Sequence, residues 1–252
     1  MSVRAVMGYE WCRLWTRPLG WVLAALTMAG MGWEFLLMLN QYLALQVRLA
    51  AAGNTSGFTD LVTLPWLALF VIAAFVLAPL LTMGALAGER RGGTLPLLFS
   101  AGVSPTAVVL GKYFAALLWQ LLILLLLLAM PVVLAVVTHP DWGKLAAAAL
   151  GLTLALAALN AVGVACSAFA GHPALAAAGA FVVTALLVGV NKLALADGAI
   201  GGIANWLALS THLQPMGRGL VSTDDLVWFA LLIGTALLLA IRRVGDERTR
   251  GG

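Results

Sequence analysis

Residues 88–112 read GERRGGTLPLLFSAGVSPTAVVLGK and gather Glu89, Arg90, Arg91 and Lys112 in a chain of which only 10% is charged. The residue types here suit docking. Gly92 and Gly93 release the chain from the apolar run before them. Thr94 then offers an N-cap, and Pro96 falls in the first helical turn, where its missing N–H costs nothing. Leu95, Leu97, Leu98 and Phe99 supply an apolar surface. Gly102 closes this short helix, and Ser104 with Pro105 opens the next one. Two readings stand: a helix that docks a partner, or an interfacial hairpin that joins two spans.

Other residues able to do chemistry are scattered. Glu34 falls in the outer part of an apolar run, where a charge is expensive unless it faces a cavity, a partner or hydrated headgroups. Asn160 and Asn191, the latter beside Lys192, are candidates to line a translocation path, with helix-to-helix hydrogen bonding and snorkelling as the favoured alternative. His139, His172 and His212 fall in three separate connections, which argues against a shared metal site. Cys12 and Cys166 fall in a polar segment and inside an apolar run, so no disulfide is expected. The NTS at Asn54 matches a glycosylation acceptor, a pattern that chance often produces. An intramembrane enzyme would need paired acids, Ser with His or Lys, or His-rich ligands at one depth, and the sequence places no such cluster.

The elements that position these residues are set by hydropathy. With 63% hydrophobic residues and a mean hydropathy of +1.03, the chain lies far from soluble domains, in which roughly a quarter of residues are charged. A bilayer span needs about 20 mostly apolar residues. Six runs qualify: Leu19–Leu39, Leu61–Ala87, Tyr113–Val137, Leu145–Ala170, Ala174–Leu193 and Leu226–Ile241. They lack period-2 alternation, so the expected fold is all-α, one membrane domain over residues 1–252. The first run shows no small-residue cleavage site and is expected to stay as an anchor.

Orientation follows from the basic residues. With the N-terminus inside, ten of the fourteen lysines and arginines fall in inner segments and four in outer ones. That bias puts both termini and the 88–112 stretch in the cytoplasm. The net charge of +4 reflects it and is no nucleic-acid footprint. Before the first run, Val3, Met7, Trp11 and Leu14 recur at helical spacing with Arg13 and Arg17 on the opposite flank, the pattern of an interfacial helix ending at Pro18. The glycine-rich outer segment Ala194–Asp225 has room for one or two short helices that could form an outer gate.

The stretch LLTMGALAGERRGGTLPLLFSAGVSPTAVVLGKYFAALL resembles the signature of ABC-2-type permeases, in particular the gliding-motility permease branch. The resemblance rests on Glu89, Arg90 and Arg91, on Gly93, Thr94, Leu95, Leu97 and Leu98, on Ser104 and Pro105, and on Leu110, Gly111 and Lys112. The chain departs from that pattern at Gly84, Gly88 and Pro96, where the family tends to carry an arginine, an acid and a glutamate. The resemblance implies six spans, an N-terminal interfacial helix, a cytoplasmic coupling helix between spans 2 and 3, and short outer helices before span 6. It also implies a permease subunit in the cell inner membrane, most of all an exporter, paired with a second permease chain. Glu89, Arg90, Arg91, Gly93, Thr94, Leu95, Leu97, Leu98 and Lys112 would then couple it to a separate ABC ATPase subunit. The chain has no G-x-x-x-x-G-K-[ST] loop, so ATP and Mg would sit on that partner and no cofactor in this chain. A scaffold that keeps the permease fold without transporting is the remaining alternative.

Overall fold

Proline and capping residues cut the apolar runs into helices. The computed structural model describes residues 2–51, 57–193 and 199–250. Helix α1, Val3–Thr16, ends where Arg17 turns extended, as a residue before proline is pushed to do. Helix α2, Pro18–Ala51, follows at once. A π-helical turn at Thr59–Thr63 leads into α3, Leu64–Thr82. Two short helices come next, α4 at Ala87–Arg91 and α5 at Leu95–Ser100. Ser104 then caps α6, Pro105–Val133, its hydroxyl accepting from the Ala107 N–H at 3.2 Å. Asp141 caps α7, Trp142–Phe169, in the same manner at 3.1 Å from the Lys144 N–H. Helices α8, Pro173–Leu193, α9, Ala199–Leu207, α10, Leu209–Gly217, and α11, Thr223–Arg250, complete the chain.

The fold is all-α among the described residues, with six helical segments long and apolar enough to cross a membrane. Helix ends differ from the hydropathy runs most in three places, and the second run is also cut short, α3 ending at Thr82 and not at Ala87. The first span's helix continues past Leu39 to Ala51, and the sixth continues past Ile241 to Arg250. The third begins at Pro105 instead of Tyr113. Hydropathy marks what the bilayer accepts, whereas caps and prolines decide where the helix stops.

Helix α7 is the centre. Of its most apolar window 72% is buried, against 17% for α2. It packs on α3, α6, α8, α10 and α11. Small residues permit this approach, as is usual between membrane helices. At Gly163 an added Cβ would lie 2.1 Å from Thr82 Oγ1, so α3 and α7 meet there only because the position is glycine. The α2 helix, by contrast, leaves Leu26, Trp33 and Leu36 exposed.

At the opposite end from α5, the segment expected to hold one or two short helices holds α9 and α10; residues 194–198 lie outside the described residues. Helix α10 is pinned to α11 through His212. Its ring faces Asp225 Oδ1 at 2.7 Å and the Trp206 carbonyl at 3.0 Å, and stacks on Trp228 with centroids 4.4 Å apart. Among the described residues no group of three or more His, Cys, Asp or Glu could hold a metal ion.

Candidate functional site

The chain interrupts α3 within an apolar stretch. Met83 to Leu86 leave the helix although nothing in MGAL is strongly polar. The buried hydroxyl of Ser167 on α7 sustains the break: it accepts from the Leu86 and Ala87 N–H groups, both at 3.0 Å, and donates to the Met83 carbonyl at 3.0 Å. One hydroxyl thus fills all its hydrogen-bonding positions on backbone groups that a continuous helix would have paired internally. Ser167→Ala is expected to cost about 1–3 kcal/mol for each buried amide left unpaired. Thermal unfolding of the purified chain in detergent would show this as a lowered midpoint, and an unchanged midpoint would mean that the break does not depend on Ser167.

The break delivers α4 with two side chains turned inward. The Glu89 carboxylate accepts from Arg13 Nη1 at 2.8 Å, from Lys112 Nζ at 3.0 Å and from the Thr94 hydroxyl. Lys112, only 4% exposed, also donates to Glu10, whose two oxygens lie 3.2 and 3.3 Å from Arg13 Nη1. Two acids and two bases from α1, α4 and α6 therefore form one closed set. Burial would lower the Arg13 guanidinium, but the charge of Glu10 and then the bond to Glu89 push it up. Closing the set requires α1 to lie against α6. Gly111 allows this, since a Cβ there would come within 2.7 Å of Val6. The buried residue of α1 is accordingly Val6, with Val3, Trp11 and Leu14 packed partly behind it.

Arg90 points the other way. Its Nη2 donates to the Ala168 carbonyl at 2.7 Å and to Glu247 Oε1 at 2.7 Å, its Nε to Glu247 Oε2 at 3.3 Å, and its Nη1 to the Ala170 carbonyl. A cation on the last carbonyls of a helix suits the negative end of its dipole. Arg90 thus ties α4 to the end of α7 and to α11. Arg91 is exposed and has no carboxylate partner among the described residues.

Helix α5 hangs from this hub by Gly93, whose φ is +66°, and Gly102, at φ +75°, turns the chain back. Thr94 precedes the helix but makes no cap bond, because its hydroxyl serves Glu89. Helical spacing sorts the leucines. Leu95 is buried and Leu98 and Phe99 pack partly beside it, one face at i, i+3 and i+4, whereas Leu97 is 66% exposed. Next to α5 lies a cleft of about 600 Å³ walled by Pro96, Phe99, Phe169, Arg243 and Arg248, among others.

The remaining candidates are apart from this cluster. Glu34 is exposed on α2, about 24 Å along the helix from Pro18 at 1.5 Å per residue, and has no ion-pair or hydrogen-bond partner among the described residues. Asn160 is wholly buried and exchanges amide bonds with Gln120 at 2.8 and 3.3 Å, while its Nδ2 also donates to the Leu156 carbonyl at 2.8 Å. The side chain of Asn191 lies outside the described residues. Sequence reasoning singled out Glu89, Arg90 and Lys112 but missed their partners Glu10, Arg13 and Glu247, and missed Ser167, which holds the backbone at the break. For Glu10 and Arg13 there was one signal: an acid and a base at i, i+3, with Glu10 the one acid of a tryptophan-rich amphipathic helix.

A comparison with curated proteins found no match. The sequence profile of the family described as ABC-2 family transporter protein matches residues 22–216, a range that includes α4, α5 and most of the six spanning helices. With six apolar helices and most of its length covered, the chain belongs to the ABC-2 transporter family, as a membrane-spanning permease component of an ABC transporter and not an enzyme in itself.

Proposed function

We propose that this chain is the membrane half of an ATP-driven exporter of the gliding-motility permease type, coupled through α5 to a separate ABC ATPase that carries ATP and Mg. The observation that carries the proposal is the α4 hub: Glu89 is bonded to α1 and α6, and Arg90 to the end of α7 and to α11. A push on α5 enters α4 next door and reaches four helices through charged contacts. Rigid coupling of this sort lets an ATPase that closes on ATP bias the spans between two arrangements. Leu97 and the cleft beside it give that ATPase an apolar contact with a basic rim. The ten-to-four distribution of basic residues supports an inner-membrane chain with both termini, α4 and α5 in the cytoplasm. Glu34, unpaired on the exposed face of α2, is the residue that a second permease chain would cover to make a path between the two.

Co-expression with ABC ATPases encoded beside it tests the reading. One of them is expected to co-purify with this chain and to hydrolyse ATP faster in the reconstituted complex than alone. An ATPase that neither co-purifies nor changes its turnover would favour a scaffold. Cysteine labelling at Arg248→Cys is expected to succeed only from the cytoplasmic side, and labelling only from outside would overturn the orientation and the docking together.

A further inference from the structure

A second cavity, of about 410 Å³, opens on the face of the chain that carries α4 and is walled by α1, α2, α3, α4 and α6. Its walls mix two kinds of residue. Leu14, Leu19, Leu80 and Leu81 are apolar, and Arg13, Arg17, Arg91 and Lys112 are basic, against Glu10 as the one acid. Arg13 and Lys112 are answered by Glu10 and Glu89. Arg17 and Arg91 are not: both are exposed, and among the described residues neither side chain has a carboxylate or hydrogen-bond partner. The cavity therefore holds two unneutralised guanidinium groups over an apolar floor.

Its depth is marked by tryptophans. Trp15 and Trp21, next in sequence to its lining residues Leu14 and Gly20, are exposed, edge-to-face with each other at 5.0 Å and with buried Trp119 at 5.4 Å each, and the Trp21 indole N–H donates to the Trp15 carbonyl at 2.9 Å. Exposed, amphipathic indoles at the end of spanning helices sit at the headgroup level of a bilayer. A ligand at this depth meets apolar walls on the bilayer side and guanidinium groups on the water side. Guanidinium groups recognise phosphate through paired N–H donors.

We infer that this cavity binds an anionic phospholipid of the adjoining leaflet, with its phosphate held by Arg17 and Arg91 and its acyl chain along Leu19, Leu80 and Leu81. A free phosphate would use the arginines but gain nothing from the leucine floor, and a zwitterionic lipid would bring its own cation to the two arginines. Glycines form part of the wall: at Gly84 and Gly88 an added Cβ would meet nothing within 4 Å, so the space there is open. The inference does not rest on ATPase docking at α5, which takes no part in the cavity.

Lipid binding to the full-length purified chain, followed by native mass spectrometry in detergent, tests it with phosphatidylglycerol and phosphatidylcholine as probes. Wild type is expected to bind phosphatidylglycerol the more tightly. At about 1 kcal/mol per arginine near a charged lipid surface, Arg17→Gln with Arg91→Gln is expected to weaken phosphatidylglycerol about thirtyfold and leave phosphatidylcholine unchanged. Arg17→Lys with Arg91→Lys keeps the charge and is expected to retain most of the preference. Gly84→Leu fills the open space with both arginines intact, and is expected to lose the tight site, which separates a cavity from a merely basic surface. Equal affinity for the two lipids, or full phosphatidylglycerol binding in both the double glutamine variant and Gly84→Leu, would overturn the inference. Displacement of the lipid by millimolar inorganic phosphate or glycerol phosphate would reassign the site to a soluble phosphate and overturn it equally.

Discussion

Leu97→Asp is expected to give a chain that inserts, folds and keeps its unfolding midpoint, yet no longer retains or stimulates its ATPase. Leu97 is two-thirds exposed on α5 and packs on nothing that holds the fold, so the monomer has little to lose. In a docked complex the same position would be buried. A carboxylate placed there without a partner costs about 3–5 kcal/mol, which weakens binding by two to four orders of magnitude. Leu95→Asp is the informative contrast. Leu95 is buried at 3% exposure beneath the same helix, and its substitution is expected to lower the stability of the chain itself. Pull-down with ATPase turnover, read beside thermal unfolding, separates the two. Wild-type binding by Leu97→Asp would reduce α5 to a connection between spans.

The second large effect is expected at the closed set of charges. Lys112 is nearly sealed from solvent and has two carboxylate partners, Glu10 and Glu89. Glu10→Gln with Glu89→Gln would leave its ammonium buried without a counter-charge, at about 3–5 kcal/mol. Either single substitution leaves one carboxylate in place and is expected to cost distinctly less. Adding Lys112→Met to the double variant removes the stranded charge and is expected to restore most of the lost stability, because a buried ion pair exchanged for apolar groups is often near neutral. Thermal unfolding of the four variants forms the test. Equal midpoints for the double variant and wild type would show that water, and not these acids, carries Lys112.

What the sequence made legible depended on how local the cause was. Six spans could be read because a run of leucine, alanine and valine is apolar wherever it folds. The start of α6 could be read because Ser104 and Pro105 act within one turn. The break after Thr82 could not, since Met83 to Leu86 are compatible with a longer span and Ser167, which pairs with three of their backbone groups or the next, lies 80 or more residues away in sequence. Leu95 and Leu97 looked alike as part of one apolar surface. Only the register of a six-residue helix sends the first inward and the second outward. Glu89 and Arg90 stood out as charges in an apolar chain, but their partners were hidden, because Glu10 and Glu247 resemble ordinary charges flanking a membrane run.

The hub also has an order of assembly written into the chain. Lys112 follows Glu10 by 102 positions, and Glu247 follows Arg90 by 157. At about 5–20 residues per second of synthesis, α1 waits roughly 5–20 s for the lysine that closes its set, and Arg90 roughly 8–30 s for its carboxylate. During that interval α4 carries a guanidinium with no acidic partner on α11, and for about the first half of it the α7 carbonyls that Arg90 will bond are not yet complete. The last turn of the last helix therefore completes a contact begun near the first third of the chain, so a product cut short before Glu247 leaves the ribosome with its central knot untied.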